Sequence, residues 1–101
     1  MTTFRDLYDW IKAAPVDEFE RYPGFAEWSL QIYNSKRQVN ICCNGLSHCN
    51  IVISDEDTAT IYPCDRPGYC DYGKGTRFAL DTDITKAVPY PMASVLVEMM
   101  E

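Results

Sequence analysis

A chain of 101 residues, 47% hydrophobic and 24% charged, suffices for one compact domain and one core that closes without disulfides or metal. Nine basic against fifteen acidic side chains leave a net charge of -6. That is the wrong sign for neutralising phosphates, so it argues against direct nucleic-acid binding; it favours a larger protein with a basic surface as partner, while the plainer alternative is that mild acidity only keeps a small domain in solution. No run approaches the roughly 20 apolar residues that span a bilayer. The opening MTTFRDLYDW carries acids where a secretory leader has an apolar stretch, so no membrane role and a cytoplasmic location are expected.

Thr3 with Asp6 three residues on has the form of a helix cap, and Phe4, Leu7, Tyr8 and Ile11 follow at helical spacing. The spacing predicts a helix over about 3–14, stopped by Pro15. The acidic stretch Val16 to Arg21 reads as a short second helical turn before Pro23-Gly24 breaks the chain.

From Glu27 the period changes to two. Trp28, Leu30 and Ile32 alternate against Ser29, Gln31 and Tyr33, then Val39, Ile41 and Cys43 against Gln38, Asn40 and Cys42. With Ser35-Lys36 central in the turn, Ile32 faces Val39, Leu30 faces Ile41 and Trp28 faces Cys43. Asn44-Gly45 marks the next turn, and a third strand over about His48 to Ser54 keeps Cys49, Ile51 and Ile53 on the apolar side in either of two registers. After Asp55-Glu56-Asp57, Ala59 and Ile61 return to that side while Thr58, Thr60 and Tyr62 take the other.

Pro63 to Gly75 has no usable period and reads as an ordered loop. Thr76 to Leu80 forms a fifth short strand, and Pro91 opens a helix with Val95, Leu96 and Met99 on one stripe. The expected fold is α+β in a single domain, 1–101: an antiparallel meander sheet of four to five strands with an N-terminal and a C-terminal helix packed on one face. The opposite face, with Gln31, Tyr33, Gln38, Asn40, Asn50, Thr60 and Tyr62, is polar and nearly uncharged.

Five cysteines are present, none in a CxxC pair. A zinc site would have to draw on Cys42, His48, Cys64 and Cys70, whose spacing is poor for two closely spaced ligand pairs. Cys64 with Cys70, or Cys43 with Cys49, could form disulfides, but a reducing compartment argues against both, and Cys43 and Cys49 suit a core as small apolar residues. His48 is the one histidine and could approach Cys42, yet no third orienting group accompanies them, so no catalytic residue is assigned. Asp55-Glu56-Asp57 and Asp81-Thr82-Asp83 resemble the start of a calcium loop without its glycine or its terminal glutamate, and Gly73-Lys74-Gly75 lacks the frame of a phosphate loop. No cofactor and no metal are expected.

The remaining signal is the loop from Cys64 to Gly75, which concentrates Arg66, Tyr69, Tyr72 and Lys74. Tyr and Arg dominate binding hot spots, although such a loop can equally fold back to cap the sheet. The expected partner-binding set adds Tyr33 and Tyr62 on the polar face and Asp55, Glu56 and Asp57 in the acidic turn. The expected role is protein–protein interaction and not catalysis. By analogy of size and class, it is that of an inhibitor such as a phage-encoded anti-defence or anti-CRISPR protein. A homodimer through the polar face or an open sheet edge fits the same pattern. The alternative is a small zinc-binding or thiol-redox module built on Cys42, His48, Cys64 and Cys70.

Overall fold

The computed structural model describes residues 1–13, 18–21, 27–33, 35–54 and 57–100. Helix α1 spans Phe4–Lys12 and starts on a reciprocal cap: Thr3 Oγ1 accepts from the Asp6 N–H at 3.3 Å, and Asp6 Oδ2 accepts from the Thr3 N–H at 2.9 Å. Two of the orphan N–H groups of the first turn are thereby satisfied. The face bearing Phe4, Leu7 and Ile11 is fully buried, as the i, i+3, i+7 spacing requires.

The stretch expected as a second helical turn is instead a strand. Strand β1, Glu18–Arg21, pairs antiparallel with β2, Trp28–Tyr33, placing Phe19 opposite Ile32. An isolated helical turn gains one hydrogen bond for several fixed dihedrals, whereas the open edge of β2 offers a row of backbone partners, and the edge wins.

Strand β3, Gln38–Cys43, pairs with β2 in the expected register, Ile32 opposite Val39, Leu30 opposite Ile41 and Trp28 opposite Cys43. Asn44 and Gly45 turn the chain at φ +54° and +79°, the two left-handed positions of a type I′ hairpin. Strand β4, Leu46–Ile53, therefore begins with Leu46 opposite Cys43 and Ser47 opposite Cys42. Continued unchanged, that register would send Ile51 to the polar side. One extra residue, His48, shifts the pairing between Ile41 and Cys42, after which Ile41 meets Cys49 and Val39 meets Ile51. The bulge reconciles a tight Asn-Gly turn with the apolar pattern beyond it.

Strand β5, Thr58–Arg66, pairs with β4, Ile51 opposite Ile61 and Ile53 opposite Ala59. It does not end at Tyr62. The expected loop contains a hairpin: Pro67-Gly68 joins β5 to β6, Tyr69–Cys70, with Arg66 opposite Tyr69 and Cys64 opposite Cys70. Proline at the first central position and Gly68 at φ +88° at the second suit a type II turn. Strand β7, Thr76–Ala79, then pairs with the earlier part of β5, Ile61 opposite Thr76 and Thr58 opposite Ala79. The sheet thus runs β1-β2-β3-β4-β5-β6 with β7 also on β5, so β1 and β6 are additions to the expected meander.

One core cluster joins Phe4, Leu7 and Ile11 to Leu30, Ile32, Val39, Ile41, Cys49, Ile51, Ile53, Ala59 and Ile61. It also takes in Ile84 from the short helix α2, Ile84–Ala87, and Ala93, Val95 and Leu96 from α3, Met92–Met100. Trp28 and Cys43, expected inside, are half-buried, because the pair lies at the end of the sheet beside the exposed Leu46. Of the adjacent thiols it is Cys42 that is buried. The Asp81-Thr82-Asp83 boundary caps α2, where Asp83 accepts from the Thr85 N–H at 3.0 Å, and a bridge between Thr3 and Asp83 ties it to the start of α1.

Candidate functional site

The polar face is organised as a transverse row, Gln31 opposite Asn40, Asn40 opposite Asn50 and Asn50 opposite Tyr62, one residue from each of β2 to β5. Asn40 Nδ2 donates to Gln31 Oε1 at 3.2 Å and to Ser47 Oγ at 2.8 Å. Gln38 Nε2 donates to Asn50 Oδ1 at 3.0 Å, and Asn50 Nδ2 donates to the Tyr72 hydroxyl at 2.8 Å. These bonds compensate a buried amide, since Asn50 is only 2% exposed. Asn40 Oδ1, by contrast, is buried with no hydrogen-bond partner among the described residues, which costs stability.

Tyr72 reaches the row because of a mismatch in chain length. Between the Ile61–Thr76 and Cys64–Cys70 pairs, residues 71–75 stand opposite only Tyr62 and Pro63 on β5. The excess folds over the face, bringing the Tyr72 ring to 5.0 Å from that of Tyr62, tilted by 54°. The loop therefore caps the sheet with one of its tyrosines.

The other tyrosine points away. Tyr69 is 61% exposed, with the Arg66 guanidinium 4.2 Å from its ring centroid. Leu46, 49% exposed, adjoins the hairpin turn: the Gly68 N–H donates to Ser47 O at 2.8 Å, and a Cβ on Gly68 would lie 3.4 Å from Leu46 Cδ2. The Asn-Gly turn and the Pro-Gly turn thus bring Leu46, Arg66 and Tyr69 to one end of the sheet. Lys74 serves its own loop, with Nζ 3.5 Å from Asp65 Oδ1 and 3.7 Å from Asp71 Oδ2.

The rest of the expected set is dispersed. Tyr33 lies on β2, three strand spacings or about 14 Å across the sheet from β5 and two residues along it from Tyr62, with Lys36 Nζ 5.5 Å from its ring. Asp57, exposed at φ +60°, precedes β5 at the end opposite Arg66. Asp55 and Glu56 lie outside the described residues. Leu46, Ser47 and Asn50 were missing from the expected set. An apolar residue directly after an Asn-Gly turn was the signal for the first, and amides aligned by register for the last.

The four residues of the zinc alternative are not arranged as the ligands of one ion. Among the described residues no set of three or more His, Cys, Asp or Glu is placed to hold a metal ion, and the His48 ring lies 5.6 Å from that of Trp28. Cys42 Sγ lies 3.9 Å from Asn40 O. Cys64 and Cys70 are cross-strand partners. Burial first, then the neighbouring Cys70 thiol, pushes the Cys64 thiol up to about 12. Burial also pushes the Cys49 thiol up to about 12, with Cys70 as the smaller cause.

Away from the hairpin, Glu27, Trp28, Tyr90, Pro91, Ser94 and Val95 line a pocket of about 200 Å³. Among the described residues no helix is long and apolar enough to cross a membrane. The chain matches no protein-family model, no curated protein and no solved structure.

Proposed function

We propose that this chain is a recognition protein that uses the Leu46–Arg66–Tyr69 end of its sheet to occupy a basic surface on a larger protein, and that it inhibits that protein by doing so. The observation that carries the reading is that Leu46 and Tyr69 are both exposed at the Pro-Gly turn, Leu46 against Gly68 and Tyr69 next to it in the chain, with Arg66 over the tyrosine ring. A large amphipathic ring on a short hairpin loses little conformational freedom on binding, which is why such residues become hot spots. The charge of -6 supports the choice of a basic partner, because it steers encounter over a range set by ionic strength. In this reading the helices cover the apolar side of the sheet through Phe4, Leu7, Ile11, Val95 and Leu96, and the hairpin end is left to the partner.

The test is affinity capture with the immobilised chain and with a Leu46→Ser/Tyr69→Ala variant, followed by association kinetics on the recovered protein at two salt concentrations. A stoichiometric basic partner that the variant loses, and whose association slows with salt, supports the reading. A partner held equally by both chains, capture of a second copy of this chain alone, or no partner overturns it.

A further inference from the structure

We propose that Cys64 and Cys70 form a redox-reactive dithiol that low-molecular-weight disulfides convert to an intramolecular disulfide across the base of the β5–β6 hairpin. The register carries the argument. The Asp71 N–H donates to Pro63 O at 2.8 Å, so Pro63 and Asp71 are a hydrogen-bonded pair of the antiparallel ladder, and the next pair, Cys64 with Cys70, is a non-hydrogen-bonded one. In such pairs the Cα atoms approach to about 4.5 Å and the side chains are at their closest, within the range a disulfide requires. Both cysteines are partly exposed, unlike the buried Cys42 and Cys49, so a small disulfide in solution can reach them.

The exchange proceeds in two thiolate attacks. Either sulfur of the pair can make the first attack, because the two side chains face each other and both are partly exposed. When Cys70 goes first, its thiolate attacks one sulfur of RSSR, forming a Cys70–S–SR mixed disulfide and releasing RS⁻. Cys64 gives up its proton to solvent and attacks the Cys70 sulfur, breaking the mixed S–S bond and releasing a second RS⁻. Both thiolates take up protons, and the sum is dithiol plus RSSR giving protein disulfide plus two RSH. The two protein sulfurs are oxidised and the two sulfurs of the reagent are reduced.

The experiment exposes the whole chain to glutathione disulfide, blocks remaining thiols by alkylation and maps linked peptides by mass spectrometry. The expected result is loss of two of the five thiols, a single Cys64–Cys70 link, and recovery of all five with dithiothreitol. Cys64→Ser should stop at a mixed disulfide on Cys70, and Cys70→Ser at one on Cys64, neither closing to an intramolecular link. Persistence of five thiols, a link that includes Cys42, Cys43 or Cys49, or a Cys64→Ser chain without an adduct on Cys70 would overturn the proposal. Should a serine variant fail to fold, the map of the unmodified chain decides alone.

Discussion

Asn50 on β4 and Tyr72 beyond β6, 22 positions apart in the chain, are joined by a 2.8 Å bond from the amide Nδ2 to the phenolic oxygen. Asn50 is almost fully buried, so its donor depends on that hydroxyl. Tyr72→Phe keeps the ring against Tyr62 and removes only the acceptor. It should lower stability by about 1 kcal/mol, whereas Tyr69→Phe, at a solvent-facing ring, should stay within about 0.5 kcal/mol. Urea midpoints of the two variants check this, and equal midpoints would mean that the bond contributes nothing measurable.

Gly75 is required by close approach and not by backbone conformation. A Cβ there would lie 2.6 Å from Tyr62 Cε1 and 2.8 Å from Thr60 Cγ2. Gly75→Ala should therefore displace Tyr62 and cost about 1–3 kcal/mol, with a change in the near-ultraviolet signal of the Tyr62–Tyr72 pair. Gly73→Ala meets only Asp71 Oδ1 at 3.2 Å, at the end of a side chain that can move, and should cost less. Thermal unfolding with near-ultraviolet dichroism separates the two, and a larger loss for Gly73→Ala would refute the assignment.

The central meander could be read from the chain because Leu30, Ile32, Val39, Ile41, Ile51, Ile53, Ala59 and Ile61 alternate without interruption, and a one-residue slip would expose them all. The same logic left the bulge at His48 unresolved, since two registers satisfied the apolar side and only the Asn-Gly turn distinguishes them near Cys43. Strand β1 carries no comparable period; it is specified by the edge it covers. The β5–β6 hairpin was marked by Pro67-Gly68, a type II turn signal obscured by the neighbouring Pro63, Gly73 and Gly75. Both parts of the candidate site depend on that hairpin. Without it Tyr72 has no route to Asn50, and Cys64 and Cys70 are only two thiols on a loop.

Acid sensitivity should include a contribution from the cap of α2. The Asp83 carboxylate accepts from the Thr85 hydroxyl and the Thr85 N–H, which hold it below its ordinary value of 3.8, with Lys86 a smaller cause. A carboxyl lowered in the folded state adds stability above its unfolded value, and that stability is lost as pH falls through the folded one. Asp83→Asn keeps a capping oxygen and removes the titration. Its melting temperature should fall less steeply than that of the unchanged chain from about pH 4 downwards. Parallel acid limbs would show that the cap charge is unimportant.

Alkaline sensitivity should have the opposite sign and a different source. Cys49 sits in the core opposite Ile41, and burial pushes its thiol up to about 12 from 9.0. A thiol raised in the folded state contributes stability that is complete below the unfolded value and declines as pH rises towards the folded one, because only the unfolded chain then releases the proton. The decline attributable to Cys49 approaches about 1.4 kcal/mol per pH unit at its steepest. Cys49→Ala should cost about 1 kcal/mol at neutral pH through lost packing, yet flatten the alkaline limb. Urea midpoints under reducing conditions, at neutral pH and at about pH 10.5, measure both effects, since tyrosine titration is common to the two chains and cancels in their difference. If the gap between the variant and the unchanged chain fails to narrow with rising pH, Cys49 is not the buried thiol that titrates on unfolding.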